Sequence, residues 1–253
     1  MNQDILFKFK KKLGEEPCLG LFSKTLDSDF VAAVGYGGMD FIILDMEHGP
    51  VPLPTIHHHT RAAIMAGLVP VVRVKGVDSH AIGSALDAGA LGVQVPNIAT
   101  AEQAAVAVKA AKYHPNGMRG VCCYVKAADF GEQPKQDYLR KANNTLLILQ
   151  VEGVEGIENL DAILDVDGFD ILFIGPYDLS QSVGKPGQVD SPEVLDLMRR
   201  ISSKAKAKGV LLGSFSDSLH RNASLKEEGF SYIAYSVDVN IFMSKIKEIV
   251  SNK

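Results

Sequence analysis

Carboxylates, a guanidinium and an imidazole stand out in this chain because each follows or closes a short apolar run. Asp45, Glu47 and His48 sit in FIILDMEHGP, Arg73 in VPVVRV, Gln150 and Glu152 in LLILQVE, and Asp178 in GPYDLS just after ILFI. Gln150 and Glu152 are two residues apart, so an extended chain carries both on one face. The carboxylates of Glu152 and Asp178 are oxygen ligands of the kind Mg2+ or Mn2+ accepts, with the remaining positions left to water and substrate; Co2+ and Zn2+ are the alternatives. Such an ion is a Lewis acid toward a carbonyl oxygen, which acidifies the adjacent C–H and stabilises an enolate. Arg73 offers a planar fork to a developing oxyanion or to a carboxylate. His48 suits proton transfer near neutral pH, and Asp45, three residues earlier, is expected to orient its ring. Taken singly, each residue also has a purely structural use: an acid caps a helix, an arginine balances a charge, and a histidine beside Gly-Pro packs in a turn. Only their joint arrangement points to chemistry.

That arrangement depends on the elements that carry the residues. Eight short apolar runs recur, at 19–23, 41–45, 69–74, 92–96, 146–151, 171–175, 210–215 and 232–236. Most lack strict alternation, as strands buried on both faces do. Helical segments separate them. The segment 100–112 opens with Thr100 and Gln103 at capping-box spacing. In 191–209, Ser191 stands at the N-cap, Pro192 at the first helical position and Gly209 just past the end. Asp78 caps 77–89, and 217–229 again ends on a glycine. GYGGMD (35–40) precedes a strand and reads as a helix end. Strands alternating with helices make parallel βαβ units, and eight of them close into a (β/α)8 TIM barrel. The alternative, an open doubly wound sheet, usually carries a Gly-rich phosphate turn after its first strand, which this chain lacks. The 253 residues suit a single barrel domain spanning 1–253. Barrels of this kind hold their chemistry at the C-terminal ends of the strands, where Asp45, His48, Arg73, Gln150, Glu152 and Asp178 would then converge. Residues 113–145 form a long connection that breaks the rhythm.

Composition narrows the partners. The net charge is −4 with acids and bases interspersed, which disfavours nucleic acid and membrane surfaces. No apolar run is long enough for a signal peptide or a span. Three cysteines, Cys18, Cys122 and Cys123, make a poor disulfide framework and point to a reducing cytoplasm. His57-His58-His59 looks like a metal cluster, but neighbours on a helix face different ways, so a solvated helix start is expected. Lys24 and Lys75, near strand ends, would serve a Schiff-base mechanism. Ser214, near the end of the seventh strand, has no evident base partner. Ser236 and Asp238 close the eighth.

At this point DMEHGP (45–50), AGLVPVVRV (66–74), LDAGALGVQVPNIATAEQA (86–104), RGV (119–121), LILQVEGVEGIENLDAI (147–163) and FDILFIGPYDLSQSVG (169–184) can be taken together. The chain resembles the metal-dependent, class II pyruvate aldolases of the HpcH/HpaI family, and the resemblance spans nearly its whole length. It implies a barrel of the pyruvate/phosphoenolpyruvate-binding type, with metal on Glu152 and Asp178. Arg73 stabilises the pyruvate enolate, His48 moves a proton at the aldehyde oxygen with support from Asp45, and Gln150 lies near metal and substrate. Backbone N–H groups around Tyr177 and Asp178 hold the pyruvate carboxylate. Asp87 matches an acid placed in a supporting position or reaching the site from a neighbouring subunit. The family forms homo-oligomers, often hexamers, that exchange a terminal helix. This chain departs from many relatives at Tyr177, where a small residue is common, at Met46, and at CCYVKAADFG after RGV. These departures fall on the acceptor side.

The resemblance implies reversible aldol cleavage of a 4-hydroxy-2-oxo acid to pyruvate and an aldehyde. Three alternatives remain: a condensing or decarboxylating enzyme using oxaloacetate, a Schiff-base aldolase, and a non-catalytic barrel that binds 2-oxo acids.

Overall fold

Eight runs of apolar residues become eight parallel strands because each is wetted on neither face. The computed structural model describes residues 2–252. Its strands are β1 (Cys18–Ser23), β2 (Phe41–Asp45), β3 (Val69–Arg73), β4 (Gly92–Val95), β5 (Leu146–Val151), β6 (Ile171–Ile174), β7 (Leu211–Ser216) and β8 (Tyr232–Val237). Each pairs with the next, and β8 pairs with β1, so the sheet closes on itself. This is the (β/α)8 barrel expected from the sequence.

The helices are α1 (Asn2–Glu15), α2 (Ser28–Tyr36), α3 (Leu53–Met65), α4 (Ser79–Asp87), α5 (Ala101–Ala111), α6 (Lys135–Ala142), α7 (Val154–Glu158), α8 (Leu160–Leu164), α9 (Pro176–Ser182), α10 (Pro192–Ala207), α11 (Leu219–Glu227) and α12 (Asp238–Ser251). The capping box of Thr100 and Gln103 forms at the start of α5, and Asp78 accepts from the His80 and Ala81 amides at the start of α4. Ser191 and Pro192 open α10, but the Ser191 side chain makes no cap bond.

The core has two shells. Outward side chains such as Ile42, Leu44, Val72, Val93, Leu149 and Leu172 pack beneath the helices. Inward ones, including Phe41, Ile43, Val71, Ile148, Phe173 and Tyr232, fill the barrel, where Phe41 stacks on Tyr232 with ring centroids 3.8 Å apart. The N-terminal helix α1 closes the bottom. Its Leu6, Phe9 and Leu13 are buried against the barrel interior, and Lys10 and Lys12 pair at 2.6 Å with Asp170 and Asp40 at the strand entries. The interior is thus sealed below, and polar groups can collect only at the upper rim.

Residues 113–145 hold a short 3-10 turn (Lys126–Gly131) and α6, which share a small apolar cluster of Tyr113, Cys123, Ala128, Tyr138 and Ala142. Lys126 Nζ donates to Thr60 Oγ1 on α3 and reaches the carbonyl of Ala88 at the end of α4. The connection therefore packs on the outside of the barrel. Among the described residues no helix is long and apolar enough to cross a membrane.

Candidate active site

Strand alternation decides which side chains meet at the rim. Phe41 and Ile43 point inward, so Asp45 does too; the same parity places Arg73 above Val69 and Val71, Gln150 and Glu152 above Ile148, Gly175 above Phe173, and Lys24 above Phe22. A cavity of about 280 Å3 opens there, lined by Lys24, Asp45, His48, Arg73, Gln150 and Asp178, with Phe22, Phe173, Phe215 and Tyr177 as its aromatic wall. A larger cavity, about 390 Å3, lies between α4 and α5. The smaller one is the candidate site, because convergent polar groups in an apolar frame mark ligand pockets.

Asp45 and Arg73 are register partners on β2 and β3. Arg73 Nε donates to Asp45 Oδ1 at 3.0 Å and Nη2 to Oδ2 at 2.8 Å, while the guanidinium carbon lies 4.6 Å above the Phe22 ring. Burial pushes the Asp45 carboxyl up, but the Arg73 hydrogen bond and charge outweigh it, leaving the group below the usual carboxylate range. Asp45 Oδ1 also accepts the backbone N–H groups of Glu47 and His48, at 3.1 and 3.2 Å. This corrects the expectation that Asp45 orients the His48 ring. A guanidinium offers two parallel N–H bonds to both carboxylate oxygens, and the tight DMEH turn supplies amides to what remains. The His48 ring instead stands exposed at the mouth, its Nε2 3.9 Å from Glu47 Oε2.

Glu152 is 4% exposed. Its Oε1 accepts the Asn97 amide at 3.0 Å and its Oε2 accepts the Gln150 side-chain amide. Gln150 is held in turn by Gln94, whose Nε2 donates to Gln150 Oε1 at 2.5 Å. Burial raises the Glu152 carboxyl to about 7; Gln150 opposes the rise and the negative charge of Asp178 adds to it. Asp178 projects from the first turn of α9. Among the described residues neither Glu152 nor Asp178 has a cationic partner, and no three His, Cys, Asp or Glu side chains are close enough to cage a metal ion. The donor set is nevertheless that of an open site for a hard divalent cation: two neighbouring carboxylates without a cationic partner, the remaining positions left to water and substrate. Gly175 makes room for it, since a Cβ there would lie 2.5 Å from Glu152 Oε2.

Sequence reasoning noted Glu47 but gave it no role. Its carboxylate is pulled inward, with Oε2 3.2 Å from Arg73 Nη1 yet without a hydrogen bond, and Oε1 accepts from Asn97 Nδ2 at 3.2 Å. Asn97 is left-handed at φ 58° and so touches both Glu47 and Glu152. Asparagine tolerates that region better than most residues, and a polar residue after VQVP was the available signal.

Other expectations resolve differently. Asp87 lies at the end of α4, paired with Arg119 at 2.5 Å, and lines the cavity between α4 and α5. Within one chain it therefore does not support the rim, because the end of α4 lies toward the opposite end of the barrel. His59 is fully buried, not solvated: its ring meets Ser28 Oγ at 3.1 Å and the Thr25 carbonyl at 3.0 Å. Lys75 is exposed and outside the cavity lining. Lys24 Nζ lines the cavity, donates to the His48 carbonyl at 3.1 Å and stands 3.7 Å from Asp45 Oδ2. A Schiff-base lysine is activated by desolvation or by a neighbouring cation, whereas Lys24 is engaged by the His48 carbonyl and faces the Asp45 carboxylate. Ser214 Oγ is spent on the Ile174 carbonyl. Asp238 clamps the end of β1 by accepting from Ser23 Oγ at 2.7 Å and from the Lys24 amide at 3.0 Å. The cysteines are free.

With this geometry in place, comparison with known proteins is decisive. Residues 19–244 match the HpcH/HpaI aldolase/citrate lyase family. The chain belongs to that family. A hydroxypyruvate/pyruvate aldolase of Roseobacter denitrificans is 36% identical over 96% of this chain and 95% of its own length. A 2-keto-3-deoxy-L-rhamnonate aldolase of Klebsiella pneumoniae is 38% identical over 83% of this chain and 81% of its own. The crystal structure of an HpcH/HpaI aldolase/citrate lyase family protein from Burkholderia cenocepacia superposes with a TM-score of 0.92, at 32% identity, covering 97% of this chain and 98% of that one. The enzyme class read from the sequence, a carbon–carbon lyase, is the class of these aldolase relatives, whose names differ in the substrate they specify.

Replacing Gly175 by alanine tests the cradle around Glu152. The added Cβ displaces the carboxylate, and Mg2+ affinity measured by calorimetry is expected to fall by about 10- to 100-fold while the circular dichroism spectrum is retained. Unchanged affinity would remove Glu152 from the ion's surroundings.

Proposed function

We propose that the chain is a divalent-metal-dependent aldolase that cleaves a 4-hydroxy-2-oxo acid to pyruvate and an aldehyde, and runs the reverse addition. The observation that carries this reading is the placement of Asp178 on the pocket wall and of Glu152 buried just behind Gly175 on that wall, two neighbouring carboxylates without counter-charge, beside a guanidinium fixed by a buried aspartate.

Glu152 and Asp178 would hold the ion, Mg2+ or Mn2+, which when bound supplies Lewis acidity at the 2-oxo oxygen. Gln94 and Gln150 fix the Glu152 carboxylate through a chain of hydrogen bonds, which would leave it oriented for the ion. Arg73, immobilised by Asp45, offers positive charge to the oxygen on which the enolate develops. The N–H groups of Tyr177 and Asp178, in the first turn of α9, have no helical acceptor and would take the pyruvate carboxylate. His48, at the mouth, would take the proton from the 4-hydroxyl during cleavage and return it during addition. Phe22, Phe173 and Phe215 exclude water from the reacting carbons, which strengthens each of these electrostatic contacts.

The chain is further proposed to assemble as a homo-oligomer through its terminal helix, as a hexamer by family resemblance, with Asp87 near a neighbouring subunit's site. Phe242, Met243, Ile246, Ile249 and Val250 on α12 are all at least 44% exposed, an apolar face that a lone chain leaves in water.

Coupling pyruvate release from 4-hydroxy-2-oxopentanoate to NADH oxidation tests the activity. Turnover abolished by EDTA and restored by Mg2+ or Mn2+ is expected; turnover indifferent to EDTA but trapped by borohydride would establish a Schiff base instead. His48→Ala is expected to lower aldol cleavage by about 10²- to 10⁴-fold and oxaloacetate decarboxylation much less. Equal loss of both would move His48 to the pyruvate side. Ile246→Glu should shift the mass measured by light scattering toward the monomer; an unchanged mass would take α12 out of the assembly.

A further inference from the structure

We propose that the hydrogen bond from the Tyr177 hydroxyl to Asp217 is a tie that holds the first turn of α9 on the rim, which makes Tyr177 a positioning residue for Asp178. This inference rests on the aldol reading above and deepens it, because Asp178 is the carboxylate that faces the pocket.

The need for a tie starts at Gly175. A Cβ there would strike Glu152, so the residue in front of α9 has no side chain with which to cap it, and no cap bond forms. The first-turn amides of a helix lack helical partners, and α9 is only seven residues long, too short to be stable by itself. Its far end is well held. Leu179 is fully buried, Ser180 Oγ accepts the Gly187 amide at 2.9 Å, and the Ser180 carbonyl accepts the Lys185 amide at 2.8 Å. At the near end Pro176 is buried but has no N–H to donate, and the side chain that ties this turn to a neighbouring element is Tyr177.

Tyr177 reaches across the rim from α9 to the end of β7. Its ring packs edge-on against Phe215 with centroids 5.8 Å apart, and its hydroxyl donates to Asp217 Oδ2 at 2.6 Å. The footing of Asp217 is firm. On one side Ser216 is fully buried at the end of β7, its Oγ donating to the Ser218 carbonyl at 2.9 Å. On the other, Ser218 caps α11 by accepting the Arg221 amide at 3.1 Å. The Asp217 hydrogen bond, with burial adding less, pushes the Tyr177 hydroxyl up to about 12, so it stays a donor at neutral pH. Tyr177, Phe215 and Asp178 line the same pocket. Asp178 is the next residue in the chain, so a turn that swings free of Asp217 moves its carboxylate relative to Glu152.

The test uses Tyr177→Phe, which keeps the ring and removes the donor, with Asp217→Ala, Asp217→Asn and the double variant Tyr177→Phe/Asp217→Ala. Calorimetry reads Mg2+ affinity, and methyl-proton exchange in D2O with Mg2+ present reads KM and kcat for pyruvate. The bond lies partly in water, so Tyr177→Phe and Asp217→Ala should each weaken Mg2+ binding by about three- to tenfold and raise the KM for pyruvate similarly, with kcat changed less. Because one bond is shared, the double variant should be no worse than either single one. Asp217→Asn keeps an acceptor and should retain most of the affinity. Unchanged Mg2+ affinity in Tyr177→Phe, or single losses that add in the double variant, would overturn the proposal. Backbone hydrogen–deuterium exchange over residues 175–183 gives a readout independent of the ion and should be faster in Tyr177→Phe. Wild-type protein that binds no Mg2+ and exchanges no methyl protons refutes the aldol reading instead. Exchange over 175–183 then still decides the tie: a faster rate in Tyr177→Phe upholds it, and an unaltered rate removes it.

Discussion

Glu152 sits out of water at the top of the barrel with no positive side chain beside it. A carboxylate in that position either keeps its proton or is matched by a cation. The surrounding structure is built to hold it there. Gly175 is bare because any side chain would strike it; Gln94 and Gln150 pass a chain of amide hydrogen bonds to one oxygen; and Asn97 leaves the usual backbone region to offer its amide to the other. Asp178, nearby and unpaired, adds a second negative charge instead of relieving the first. The donors around Glu152 satisfy its hydrogen bonds but not its charge, and that is what gives the proposed cation its place.

The other half of the rim is electrically closed. Asp45 and Arg73 neutralise each other through two hydrogen bonds, and removing either would strand a buried charge at a cost of about 3–5 kcal/mol. Their pairing holds the guanidinium face against Phe22. One side of the rim thus carries a fixed, compensated cation and the other an uncompensated pair of acids, Asp178 on the pocket wall and Glu152 behind it. A 2-oxo acid bridging the two would find its carbonyl oxygen between the oriented guanidinium and the ion that Glu152 and Asp178 are proposed to hold. The closed bottom of the barrel and the outward packing of residues 113–145 leave this rim as the place where substrate enters.

The barrel was legible because buried parallel strands leave a strong trace: eight apolar runs, most without polar alternation, spaced by capped helices. The residues that gather at the rim were legible for the same reason, since a polar side chain closing such a run has few places to go. Partners were harder to read. That Asp45 serves Arg73 and not the His48 ring follows from the register of β2 on β3, which no local pattern encodes. Glu47 and Asn97 meet only through the closure of the sheet. His59 resembled its two neighbours in sequence, but the helix rotates it into the gap beneath the β1–α2 turn. Asp87 resembled an active-site acid, yet the end of α4 lies away from the rim, so any such role needs a second chain. The plug made by α1 was hidden in a lysine-rich stretch whose Leu6, Phe9 and Leu13 share one face.

The central claim is that this pocket enolises a 2-oxo acid with the help of an ion held by Glu152 and Asp178. Proton NMR of pyruvate in D2O, with the purified enzyme and with or without Mg2+, tests it most directly. The account predicts that the methyl signal decays only when Mg2+ is present, and that Asp178→Ala removes the decay. Exchange that proceeds equally in EDTA, or that survives loss of Asp178, would contradict it.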